Sequence, residues 1–218
     1  MHISPPPEPE LALVIGEILH NLHSSLDSVV WQLTVPPQPL RPNRIQFPIF
    51  KDVTDVPGSP GVRGYYNSGT RLLKEIDPVT HSVVRDLQPC FAPDPDAHPL
   101  WLLNQLHNID KHRTLLLVTT AVGSAGFAVR SGNPQEVSII RDVELGPLED
   151  GMEIYRLRVR KGADVTLQPF FSFKIALGET GLKVDPWPVT FVLSQLYKFV
   201  SVEVFNAFIP FFPRPFEN

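Results

Sequence analysis

Proline decides where this chain can be regular. Twenty-four of its 218 residues are proline, which fixes φ and lacks a backbone donor, so it suits a helix's first turn and breaks a helix from inside. The prolines cluster between periodic segments, as at Pro36-Pro37, Gln88-Pro89 and Pro186-Trp187-Pro188. They read as stiff connectors rather than as disorder, and what lies between them must supply the helices and strands.

The first such piece predicts a helix from about Glu10 to Leu33. Leu11, Ile15, Ile18, Leu22, Leu26, Val29 and Leu33 recur at steps of three and four, which places them on one face. Beyond Pro36-Pro37, the segment Ile45-Gln46-Phe47-Pro48-Ile49-Phe50 is expected to lie as an apolar strap across the bundle. Asp77-Pro78 supplies an N-cap and first-turn pair for a short helix through Val83, Val84 and Leu87. A second long helix should start at Asp96-Ala97-His98-Pro99, with Leu102, Leu103, Leu106, Ile109 and finally Leu117 on its seam. The β-branched run Val118-Thr119-Thr120 then turns the chain toward strand.

Residues 118–178 read as an antiparallel meander of four or five strands. Turns are expected at Ser131-Gly132-Asn133-Pro134, Gly146-Pro147, Asp150-Gly151 and Lys161-Gly162. Tyr155, Leu157 and Val159 alternate with Arg156, Arg158 and Arg160. A last helix over 186–210 should return to the bundle through Val192, Leu196, Phe199, Val200 and Ala207. The predicted fold is therefore a single α+β domain. Residues 10–117 are mainly helical with proline-rich connectors, 118–178 form the sheet, and the C-terminal helix packs back on the first two.

Composition narrows the partners. A net charge of −4 disfavours general affinity for phosphate backbones, so RNA would need a local basic patch. Cys90 is the sole cysteine, which rules out an internal disulfide and fits a reducing, cytoplasmic setting. The apolar run from Val189 to Phe212 is interrupted by Gln195, Lys198, Glu203 and Asn206, so it reads as a buried helix and not a membrane span.

The chemistry-bearing residues lie on the two long helices. Glu17, His20, Ser24, Asp27 and Trp31 share a stripe roughly opposite the first helix's apolar seam. Trp31 there implies either cover, by another element or by a second copy in a homodimer, or a solvated face with one stray tryptophan. On the second helix Asp110 and Arg113 continue the leucine seam, and on the last helix Glu203 falls in line with Val192 and Leu196. Ionisable groups on inward seams must be paired, because a lone buried charge costs several kcal/mol. Asp27, Asp110, Arg113 and Glu203 are thus expected to form a buried polar network, or alternatively to line a polar pocket. No metal site or cofactor is expected: Glu17-x-x-His20 lies off the seam, the second helix offers only the reversed His107-x-x-Asp110, and no glycine-rich phosphate loop follows a strand.

The segment His20-Asn21-Leu22-His23-Ser24-Ser25-Leu26-Asp27-Ser28-Val29-Val30-Trp31 resembles a His-Asn-Leu-Arg-Ser-Ala-Leu-Asp-His-x-x-Trp pattern, and Asn108-Ile109-Asp110-Lys111-His112-Arg113 resembles the downstream block that accompanies it. Together they resemble a bacterial protein family to which no activity is assigned. The first segment also resembles the HEPN ribonucleases, helical dimers that cut RNA without metal through an Arg-x(4–6)-His motif. His23 stands where the arginine would be and Ser28 where the histidine would be. What this resemblance implies is a site improvised from His20, His107, Lys111 and Arg113. The residues themselves favour a non-catalytic binding or interaction protein, with a HEPN-like ribonuclease or its remnant as the alternative. A metal-dependent bundle enzyme stands third.

Overall fold

A computed structural model describes residues 9–35, 45–56, 62–112, 115, 117–141, 153, 156–178, 180–185 and 187–212. It mixes helices with antiparallel strands. The described residues divide into two compact units. One comprises 9–12, 115–181 and 185–191, and the other 13–112, 182–184 and 192–212.

Helix α1 runs over Pro9–Gln32. Its buried apolar side chains are Ala12, Ile15, Leu19, Leu26, Val29 and Val30, and Leu33 just past its end is buried too. Ile18, expected on the seam, is 38% exposed, and Leu19 takes the inward place. The helix closes with Leu33 donating to the Val30 carbonyl and the Thr34 hydroxyl donating to that of Trp31. The chain is then tied to residues 75–77, with Val35 N donating to Glu75 O and Asp77 N to Leu33 O.

The strap over 45–50 is present, and Phe47 and Pro48 are buried in it. Apart from Phe50 O accepting from Cys90 N, side chains hold it. Asp27 accepts from Phe47 N at 2.8 Å, and the Phe47 ring meets Phe208 edge-on. Gln88 does the rest. Its Oε1 accepts from Phe50 N, while Nε2 donates to the Pro48 and Val84 carbonyls at 2.8 and 3.0 Å. Every polar atom of this buried amide is satisfied, as burial demands.

A short helix α2 (Thr70–Leu72) follows a π-turn over Tyr65–Gly69. As its sequence predicts, Asp77 accepts from Val79 N and opens a turn of 3-10 helix leading into α3 (His81–Asp86). Helix α4 spans Pro99–His112, with His98 Nδ1 accepting from Leu100 N at its start. At fourteen residues it is shorter than the second long helix expected, and its seam is Leu100, Leu103 and Leu106. Leu117 is not part of it. The β-branched run draws Leu117 into strand β1.

The C-terminal helix corrects the expectation for Glu203. Helix α5 (Val189–Lys198) passes into a π-helix over Phe199–Val204 and then α6 (Phe205–Phe208). Val192, Leu196, Val200, Val204 and Phe208 are all buried. A constant step of four would drift around a 3.6-residue helix, but wider π-turns keep it on one face. Val204 therefore takes the inward position that simple α periodicity gives to Glu203, and Glu203 is exposed. The run Val189–Phe211 is also long and apolar enough to cross a membrane by length and composition, and only 28% of its most apolar window is buried. That is less cover than a fully buried helix would have.

In the strand-bearing unit, β1 (Leu117–Ser131) pairs with β4 (Thr166–Leu177) from Leu117↔Leu177 to Ser131↔Thr166, and β2 (Val137–Arg141) pairs with β3 (Arg156–Val159). Among the described residues these are two separate two-stranded sheets, not one meander of four or five strands. The reason lies in the turn after β1. Gly132 adopts φ +92°, and Asn133 caps a 3-10 turn over Pro134–Glu136, so the chain leaves β1 rather than folding back on it. The second ribbon is thereby inserted between two paired strands. Its expected alternation is weak: Leu157 is half-buried, Val159 is 41% exposed, and Tyr155 lies outside the described residues. The turns expected at Gly146-Pro147 and Asp150-Gly151 also lie outside them.

Candidate functional site

The site is built where α1 and α4 meet. A histidine at position 107 of α4 follows the seam residue Leu106 and is only 3% exposed. Two imidazoles of α1 face it. His20 Nδ1 lies 3.3 Å from His107 Nε2, a hydrogen bond in which one ring donates and the other accepts. His23 lies against His107 with ring centroids 4.4 Å apart. Helical spacing extends the set on both helices. Ser24 Oγ is 3.4 Å from His20 Nε2, and Asp27 Oδ2 is 3.8 Å from His23 Nδ1. Asn104, one turn before His107, hydrogen-bonds His23.

Burial sets the charge of this cluster. Desolvation, reinforced by His23, Lys111 and His20, pushes His107 down to about 4. His23 is also lowered, chiefly by burial, although Asp27 and Asn104 pull the other way. Both rings are neutral near pH 7. The second ring nitrogen of His107, Nδ1, is buried without a hydrogen-bond partner among the described residues, and such an orphan costs about 1–3 kcal/mol.

Two clefts open beside the histidines. The first, about 430 Å³, is lined by Leu13, Gly16, Glu17, His20, His107, Asp110 and Lys111. Gly16 is its packing key, since a methyl group there would sit 2.5 Å from Asp110 Oδ2. The α1 backbone thus makes a notch for the Asp110 carboxylate, which has no hydrogen-bond or ion-pair partner among the described residues. The second cleft, about 260 Å³, has His23, Gln46, Asn104, Asn108 and Lys111 as its polar lining, with Phe47 and Phe50 from the strap. Lys111 borders both.

The structure therefore brings together His20, His107, Asp110 and Lys111 from the residues singled out by sequence. Of the expected four-residue network, three members are among the described residues. Asp27 is committed to Phe47 N and His23, Asp110 rests against Gly16, and Glu203 faces solvent. Arg113 lies outside the described residues. Trp31 is 42% exposed. Sequence reasoning missed Gly16, whose signal is its presence inside a helix at a cost of about 1 kcal/mol relative to alanine, and also the amides Gln46, Gln88 and Asn104. Cys90 carries a thiol that burial raises to about 11, which suits packing rather than nucleophilic attack. Among the described residues no set of three His, Cys, Asp or Glu side chains is arranged to hold a metal ion. Comparison with family models, curated proteins and solved structures finds no match for the chain.

Proposed function

We propose that this is a non-catalytic binding protein whose α1–α4 cleft receives a small polar ligand bearing a positive charge. The observation that carries this reading is Asp110. Its partly buried carboxylate is positioned by the Gly16 notch yet has no partner among the described residues, and a carboxylate so placed is stabilised by a cation. Glu17 adds a second negative charge and Lys111 one positive, while His107 contributes a neutral ring. The cleft is therefore acidic by one charge. The two imidazoles that would do acid–base chemistry are hydrogen-bonded to each other, which favours holding a ligand over moving its protons.

Calorimetric titration with a panel of small amines, from methylammonium to amino acids, tests the proposal. Saturable binding that weakens at least about tenfold in Asp110→Asn supports it. Absence of binding across the panel, or binding indifferent to Asp110→Asn, overturns it.

The His20–His107 pair beside Lys111 favours a second reading, a HEPN-like metal-independent ribonuclease. It requires RNA cleavage in EDTA that His107→Ala abolishes. The direct contact of the rings, with no gap for a phosphate between them, places this reading behind the first.

A further inference from the structure

The second cleft carries its own chemistry, independent of the amine reading. Asn104, Asn108 and Lys111 recur at steps of four and three on α4, so one helix face lines it. Gln46 of the strap lines it as well, and His23 closes it from α1. Its lining includes one positive charge and no carboxylate. Asp27, which faces His23, has its Oδ1 taken by Phe47 N and its Oδ2 turned to that ring. The side-chain amides of Gln46 and Asn108 and the Lys111 ammonium have no partner among the described residues. Free carboxamide N–H groups around a lone ammonium stabilise an anion.

We propose that this amide-lined cleft is an anion site, taking a carboxylate or phosphate group whose charge meets Lys111 and whose oxygens accept from Asn104, Asn108 and Gln46. A volume of about 260 Å³ suits a small anion and not a drug-sized ligand. Binding there is linked to protons through His23. The charged and titratable groups facing that ring are Asp27 and His20 on α1 and Lys111 and His107 on α4. The bound anion adds a negative charge beside His23 and favours its imidazolium, so affinity rises as pH falls.

The experiment is an NMR titration of the full chain with acetate and, in a separate arm, with inorganic phosphate, following the Asn104 and Asn108 amide and His23 ring signals. The expected result is saturable shifts in at least one arm, and which arm saturates names the source. Affinity should fall about tenfold in Lys111→Met and a few-fold in Asn108→Ala, and in the acetate arm rise as pH falls below the ordinary imidazole value of about 6.5, since His23 is lowered from it. Glu17→Gln, confined to the other cleft, should leave anion binding intact while weakening amines, so the two proposals fail separately. Shifts that never saturate, or saturation unchanged in both Lys111→Met and Asn108→Ala, overturn the site. A Glu17→Gln variant that binds the anion several-fold more tightly places it beside that carboxylate, in the other cleft, and also overturns the site.

Discussion

At the scale of single residues, the junction of α1 and α4 depends on what is missing at position 16. Gly16→Ala puts a methyl group into the Asp110 carboxylate. We expect it to cost roughly 1–3 kcal/mol, as overpacking does. Asp110→Ala vacates that space, so in chemical denaturation the double variant should recover most of the loss. Additive costs would mean that the two residues do not touch. His107 makes a second prediction. Its folded value of about 4 lies below the ordinary 6.5, so the unfolded chain takes up the proton first. Stability is therefore fully present above about pH 6.5 and lost as pH falls toward 4, by up to about 1.4 kcal/mol per pH unit. His98, lowered to about 4 by burial, adds to the slope. Denaturation midpoints measured across this range should fall less steeply in His107→Gln; an unchanged slope would remove His107 as the cause. Helical spacing pointed to His20 and Asp110, because it sets which side chains share a face, whereas His107 and Lys111 entered as site residues through the resemblance of their segments. The sequence concealed the Gly16 notch and the role of His23 as hub, because those depend on how closely two helices approach.

At the scale of elements, the strands and helices were legible to within a few residues where apolar periodicity and proline agreed. α1 runs over Pro9–Gln32 against an expected 10–33, and the C-terminal helix begins at Val189 against an expected 186. The C-terminal helix was read with the wrong pitch. A 3.6-residue period carries Glu203 inward, whereas the π-turns bring in Val204. The two readings part on stability. Val204→Ala should cost roughly 1–3 kcal/mol as a buried truncation, and Glu203→Ala should stay within about 0.5 kcal/mol. The opposite ranking in urea denaturation would restore the α register. Strand pairing was the least legible feature. Turn residues mark where a chain bends, but not which strand it rejoins, and β1 rejoins β4 across the whole second ribbon.

At the scale of the whole molecule, charge is spread rather than concentrated. Ion pairs such as Lys51–Asp96, Arg85–Asp86, Arg156–Glu153 and Lys183–Asp94 keep substantial solvent exposure. Pairs of this kind contribute about 0–1 kcal/mol each and are screened by salt. Unfolding free energy should therefore change by no more than about 1 kcal/mol on going from low salt to about 0.5 M NaCl; a larger loss would require a dry ion network of the kind expected from sequence. The pairing of Ser131 with Thr166 has a further consequence. Chain leaves and re-enters the long ribbon at adjacent points, so whatever is threaded between them is free to vary in length without disturbing the strands that carry it. Natural variants of this protein should differ most in size there, and the same junction is where a foreign peptide could be spliced in while both clefts of the helical unit keep their linings.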